Sequence, residues 1–266
     1  MKNKSKELKV AIKAALKAGK VLEKYFETEI LKEIKEDKSI VTLADRESEE
    51  IIKKIISGAF PNHSILGEET GMTENKSEYV WHVDPVDGTK NFANGIPLFA
   101  VSVALAYKNE VIVAVVYNPA VNSLFYAEKN KGAYFNDKKI QVSKDDTIHS
   151  IVSGGKSRTD EDRKLYRRLM YDLPEMFKGL TVRDFGSVAL ELGYVARGSF
   201  EATIQIGLHS YDFAAGILLV QESGGKVTNF DGTAYKFPGN YFIASNGVFH
   251  DLLVKEVQEQ KTKLGI

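Results

Sequence analysis

Between residues 64 and 140 the chain breaks into short apolar runs, and this stretch constrains the fold more than any other. The runs cover 64–66, 79–83, 99–107, 111–117, 123–127 and 133–135, and each reads as a β-strand. Polar connectors at Lys108-Asn109 and Asn118-Pro119 suit antiparallel hairpins, and Asn136-Asp137 begins a turn before Ile140. The flanks differ. From about Lys6 to Thr28, Leu8, Ile12, Ala15, Leu16, Val21, Leu22 and Phe26 recur at helical spacing, which predicts an amphipathic helix. Polar residues 32–39 then read as an exposed hairpin or loop. Thr42 opens a second helix with Asp45 in a capping-box position, burying Ile51, Ile52, Ile55 and Ile56 and stopping near Pro61. After Val142, strands near 150–153, 181–182, 202–205, 226–228 and 241–244 alternate with helices near 160–173, 187–196, 212–223 and 248–261. The expected class is α+β, with halves 1–143 and 144–266 packed as one compact unit.

Composition removes several functions. Lys plus Arg is 36 and Asp plus Glu is 36, so the chain has no global field for nucleic acid or an anionic membrane. There is no cysteine, which excludes disulfides, thiolate metal sites and cysteine nucleophiles. The N-terminus is Lys-rich and lacks a signal peptide's apolar stretch, and no apolar run is long enough to span a bilayer. The expectation is a soluble, cytoplasmic protein.

Three segments place acids beside small residues. They are Gly67-Glu68-Glu69, Asp84-Pro85-Val86-Asp87-Gly88-Thr89, and Tyr211-Asp212-Phe213-Ala214-Ala215-Gly216. Carboxylates without Cys or clustered His are hard oxygen ligands, suited to Mg²⁺ or Mn²⁺. Gly88 and Thr89 add backbone N–H groups and a hydroxyl of the kind that binds phosphate at a helix start. Each segment also has a plain reading. Asp-Pro and Asp-Gly make turns, Glu68-Glu69 suits a solvated loop, and Asp45 and Asp212 suit helix caps. His63, His82, His149, His209 and His250 lack metal-ligand spacing and read as structural. Gly154-Gly155-Lys156-Ser157 lacks the spacing of a P-loop.

Taken in order, residues 38–45 (KSIVTLAD), Gly67-Glu68-Glu69, residues 84–92 (DPVDGTKNF) and residues 211–216 (YDFAAG) resemble the inositol monophosphatase family, from the first helix to Ala244-Ser245-Asn246. This is part of the lithium-sensitive, Mg²⁺-dependent phosphatase superfamily that includes fructose-1,6-bisphosphatases. The resemblance implies a layered αβαβα sandwich and a homodimer. It implies metal ligation by Glu68, Asp84, the Val86 carbonyl, Asp87 and Asp212, with inhibition by Li⁺. Most ligands then fall in the first half, and Asp212 and the substrate contacts in the second. Glu68 and Thr89 would flank the attacking water, with Asp45 behind Thr89. Asp87, Gly88, Thr89, Gly186, Ser187, Val188, Gln205 and Asp212 would meet the substrate.

The implied reaction is hydrolysis of a small phosphate monoester, with inositol-1-phosphate first. Fructose-1,6-bisphosphate, histidinol phosphate and 3′-phosphoadenosine 5′-phosphate are alternatives, and a non-catalytic regulatory homologue is a further one. The chain departs from the family's inositol phosphatases at Gln205, usually Glu, at Tyr211, usually Trp, and at Lys90, usually Thr.

Overall fold

The computed structural model describes residues 4–28, 32–34, 40–144, 151–154, 159–176 and 180–266. Helix α1 (Lys6–Tyr25) starts at Ser5, whose hydroxyl accepts the Leu8 N–H at 3.0 Å. Leu8, Ala11, Ile12, Ala15, Ala18 and Leu22 are buried on one face, while Lys6, Lys9, Lys13, Lys17, Lys20 and Lys24 are exposed. Strands β1 (Lys32–Ile34) and β2 (Ile40–Thr42) pair antiparallel, as the polar stretch between the helices suggests. Lys38-Ser39 between them, and Gly155-Lys156-Ser157 further on, lie outside the described residues. In α2 (Leu43–Ala59), Ile52 and Ile56 are buried, but Ile51 and Ile55 are only half-buried, since one stripe alone can meet the core. The other buried positions of the helix include two acids, Asp45 and Glu49.

The strand-rich stretch forms β3 (Ser64–Gly67), β4 (Gly71–Thr73), β5 (Tyr79–Asp87), the short helix α3 (Thr89–Phe92), β6 (Ala100–Tyr107), β7 (Glu110–Asn118), β8 (Ser123–Glu128), β9 (Gly132–Phe135) and β10 (Lys138–Lys139). Its strands make one eight-stranded sheet in the order β10-β9-β8-β7-β6-β5-β3-β4. The pair β3 and β5 is parallel and its other pairs are antiparallel. Lys108-Asn109 and Asn136-Asp137 have positive φ, as two-residue hairpin turns require. The second half supplies β11 (Ile151–Gly154), α4 (Asp160–Met176), β12 (Thr181–Arg183), α5 (Val188–Ala196), β13 (Ala202–Ile206), α6 (Ser210–Glu222), β14 (Lys226–Asn229), β15 (Tyr241–Ser245) and α7 (His250–Leu264). Its sheet has five strands in the order β12-β11-β13-β15-β14.

The layering follows from which faces are apolar. On β6, Val101, Val103 and Leu105 join the core under α1 and α2, whereas Ala100 and Ala104 join the core with α5 and α6. The latter core continues through α5 and α6 to Phe242 and Ala244 of the second sheet. α5 is buried along almost its whole length and α6 from Phe213 to Val220, as helices held between two sheets must be. The outer face of the second sheet, with Val152, Ile204 and Ile243, is covered by Leu169 and Leu173 of α4 and Leu253 and Val257 of α7. The stack is helices, sheet, helices, sheet, helices, which is the expected αβαβα sandwich. Among the described residues, no helix is long and apolar enough to cross a membrane.

Candidate active site

The site forms where β5 leaves its sheet. Asp84 pairs with Ser102, but Asp87 pairs with Ala100, so three steps on β5 oppose two on β6. This β-bulge turns the strand end away from its neighbour. It falls at Pro85, which has no N–H to give to a ladder. Asp84 Oδ1 accepts the Val86 N–H at 2.9 Å and closes the turn. Gly88 follows at φ +91°, where a Cβ would sit 2.8 Å from the Leu98 carbonyl oxygen.

Thr89 then starts α3. Its hydroxyl donates to the Val86 carbonyl at 3.0 Å and to Asp45 Oδ1 at 3.4 Å. Asp45 Oδ2 meanwhile caps α2, accepting the Thr42 N–H at 2.8 Å and hydroxyl at 2.5 Å. Asp45 is therefore both a helix cap and a neighbour of Thr89. Burial pushes its carboxyl up to about 7, with Glu69 and Glu68 adding to the rise and the Thr42 bonds opposing it.

Glu68 arrives from β3, the parallel neighbour of β5, and its N–H donates to the Val83 carbonyl at 3.1 Å. Glu49 supports this loop from inside the protein. One of its oxygens accepts the Glu69 N–H at 2.8 Å, and the other accepts the Thr70 N–H at 3.0 Å and hydroxyl at 2.5 Å. Gly67 leaves room for it, because a Cβ there would collide with the Glu49 carboxylate. The signal for Glu49 was present in the sequence: it shares a helical stripe with Asp45, Ile52 and Ile56, and an acid on an apolar stripe needs a reason.

The second half contributes two helix starts. Asp212, in the first turn of α6, accepts the His209 N–H at 2.8 Å. Ser210 in the same turn bonds His82 Nδ1 on β5 at 2.9 Å. Burial lowers the His82 pKa to about 4, so this ring is neutral. Asp87 reaches across to α5, where Oδ2 accepts the Ser187 hydroxyl at 2.6 Å and the Ala189 N–H at 2.8 Å, and Oδ1 accepts the Val188 N–H at 3.3 Å. Burial raises Asp87 to about 6 against the pull of these bonds.

These elements enclose a cleft of about 520 Å³. Glu68, Asp84, Val86, Asp87, Gly88, Thr89 and Asp212 line it together with Gly186, Ser187 and Val188. Asp45 lies behind Thr89, outside the lining. Gln205 is a correction. It is fully buried on β13, on the same side as Thr203, and its amide donates to Glu191 Oε2 at 2.9 Å and to Thr203 Oγ1 at 2.6 Å. It supports Glu191 and does not line the cleft.

Asp84 is almost wholly buried, at 2% exposure. Burial raises its carboxyl well above the usual range, and Glu68, Asp87 and Asp212 raise it further. Among the described residues, no three His, Asp or Glu side chains are close enough together to enclose a metal ion as they stand. Asp87, for one, gives both oxygens to α5. The donor set nonetheless fits a hard divalent cation, since it is all oxygen and its mutual repulsion is what a cation would relieve.

The inositol monophosphatase family pattern matches residues 3–262. The chain belongs to the inositol monophosphatase family. A fructose-1,6-bisphosphatase/inositol-1-monophosphatase of Aquifex aeolicus is 36% identical over 259 residues, 96% of each chain. A Haemophilus influenzae protein named Nus factor SuhB is 38% identical over 258 residues, 93% of this chain and 94% of its own. The structure of a Thermotoga maritima IMPase has a TM-score of 0.89 and 33% identity, covering 98% of this chain and 100% of that one. In this inositol monophosphatase family member, Asn91 of the segment 84–92 fixes the mouth of the cleft, its amide donating to the Leu98 carbonyl at 2.7 Å and the Phe185 carbonyl at 2.6 Å. Glu191 also lines the cleft, and neither residue was assigned a role from the sequence.

Proposed function

We propose that this protein hydrolyses a small phosphate monoester with Mg²⁺, with inositol-1-phosphate as the substrate. The observation that supports this best is the convergence of Glu68, Asp84, Asp87 and Asp212, from three separate segments, on one cleft with Asp84 buried among the others. Glu68, Asp84, Asp87, Asp212 and the Val86 carbonyl would hold the metal, and Mn²⁺ would substitute for Mg²⁺. Such a metal offsets phosphate charge and lowers the pKa of the attacking water.

The chain's own groups supply the positioning. Thr89 donates its hydroxyl proton inward, which leaves its oxygen lone pairs for a water held between it and Glu68. Asp45 stands behind Thr89 as the acceptor. The N–H groups of Gly88 and Thr89 face the phosphate. Ser187 and Val188 line the cleft with their donors already engaged by Asp87, so they shape the pocket for the organic group.

The test is phosphate release with Mg²⁺ from inositol-1-phosphate, fructose-1,6-bisphosphate, histidinol phosphate and 3′-phosphoadenosine 5′-phosphate. Asp84→Asn is the cleaner control, because Asp87→Asn would also uncap α5. Preference for inositol-1-phosphate, lost in Asp84→Asn and reduced by Li⁺, supports the proposal. Preference for another compound reassigns the substrate. Some relatives are named Nus factor SuhB. A non-catalytic regulatory protein is the second reading, and no release from any of the four compounds would make it the leading one.

We also take the protein to be a cytoplasmic homodimer whose two halves act as one unit and which needs neither nucleic acid nor membrane. Sedimentation would show a monomer if the dimer is wrong, and two unfolding transitions would separate the halves.

A further inference from the structure

The wall formed by residues 184–188 is held by a buried carboxyl that the proposed reaction does not use. Glu191, in the first turn of α5, is 1% exposed, yet it lines the cleft. Its Oε1 accepts the Phe185 N–H at 3.0 Å. Its Oε2 accepts the Gln205 amide at 2.9 Å and the Thr203 hydroxyl at 3.4 Å. Gln205 Oε1 is buried and without a hydrogen-bond partner, an arrangement that costs stability. A Glu at position 205 would be worse, since it would set a second carboxyl beside Glu191 in a buried site.

The same wall carries Asp184 at its exposed end. Asp184 Oδ1 accepts the Gly186 N–H at 3.1 Å, and Oδ2 accepts the Tyr166 hydroxyl at 3.0 Å. Both Asp184 and Glu191 line the cleft, where Lys90 is the basic residue among the described residues. Hydroxyl groups of a ligand can donate to a carboxylate; a second phosphate brings like charge to it and has no proton to give.

We propose that Glu191, seated on Gln205, is a positioning residue that fixes residues 185–187, and that the wall so fixed uses Asp184 to select a hydroxyl-rich monophosphate over a bisphosphate. The inference rests on the phosphatase reading above. It assigns the selection of the organic group to α5 and the loop before it, and gives Gln205 a supporting place.

The experiment is steady-state kinetics with Mg²⁺ on inositol-1-phosphate, fructose-1,6-bisphosphate and 4-nitrophenyl phosphate. Glu191→Ala should raise KM for inositol-1-phosphate about tenfold, with kcat and the 4-nitrophenyl phosphate constants changed by less than about threefold. Glu191→Gln keeps an acceptor for the Phe185 N–H and should restore most of the affinity. Asp184→Asn should lower the ratio of kcat/KM for monophosphate over bisphosphate by about tenfold. Equal losses on all three substrates in Glu191→Ala, no rescue in Glu191→Gln, or an unmoved ratio in Asp184→Asn would each overturn the proposal. If Glu191→Ala does not fold, the other two variants decide it. No phosphate release by the unmutated protein from any compound would overturn the phosphatase reading, and this inference with it.

Discussion

Glu49 and Asp84 are both acids, both almost wholly buried, and both flank the loop that carries Glu68, but their surroundings are opposite. Glu49 is matched by two backbone N–H groups and a hydroxyl. Asp84 accepts the Val86 N–H and otherwise faces Glu68, Asp87 and Asp212. An acid that builds the structure is met by donors supplied by the chain. Asp84 is instead set against other acids, a repulsion that a cation would relieve.

The contrast makes opposite demands on two substitutions. Asp84→Asn should lower phosphate release at least about 100-fold while leaving the metal-free protein as stable as before or more so. Activity together with melting in the presence of a chelator checks both halves of this statement. Glu49→Ala strands the donors of Glu69 and Thr70 and should cost about 2–4 kcal/mol of stability, read from denaturant midpoints. If Asp84→Asn proves the more destabilising of the two, the comparison fails.

A smaller effect follows from metal binding. Mg²⁺ at about 100 times its Kd should stabilise the unmutated protein by about 2.7 kcal/mol and Asp84→Asn by much less. Equal stabilisation of the two proteins would place the metal elsewhere.

The smallest effect is a pH dependence remote from the cleft. His250 is buried, with Ser245 and Thr228 on its two ring nitrogens, and burial lowers its pKa from 6.5 to about 4. Below pH 6.5 the unfolded chain takes up the proton first, so stability falls as pH drops from 6.5 towards 4. The raised carboxyls act in the other direction. Asp45 and Glu191, both near 7, hold protons that the unfolded chain has already released, and they lose stability as pH rises from about 4 to 7. His250→Asn should flatten the acid limb by on the order of 1–3 kcal/mol without altering the response to Mg²⁺. An unchanged acid limb would show that His250 does not carry it.

Most of the fold was legible because hydrophobic period tracks secondary structure. The switch at Ser64 from helical to strand pattern marks the first sheet, and the alternation after Val142 marks the second. The paired residues Lys108-Asn109 and Asn136-Asp137 announced their turns. Short elements escaped notice. β4 and β10 have three and two residues, too few for a period to show.

The candidate site was legible as a set of acid-bearing segments, and the structure brings them together around one cleft. What lay beyond the sequence was the side-chain traffic between distant elements. Asp87 capping α5 links residues 100 or more apart, and the turning of Gln205 towards Glu191 depends on how β13 packs under that helix. Glu49 stood among other acids and Glu191 within an apolar stretch, and neither was singled out until its backbone partners were visible.

The mismatch between β5 and β6 has a genetic consequence. One surplus residue separates a strand that ends flush with its neighbour from one that curls outward with two acids and a carbonyl at its tip. Loss of a single codon between Asp84 and Asp87 would let the two strands pair evenly to the end. The sheet behind it would keep its pairing, because Val103 and Leu105 lie opposite Val83 and Trp81, ahead of that joint. In this architecture the step between a scaffold and a reactive centre is one triplet wide.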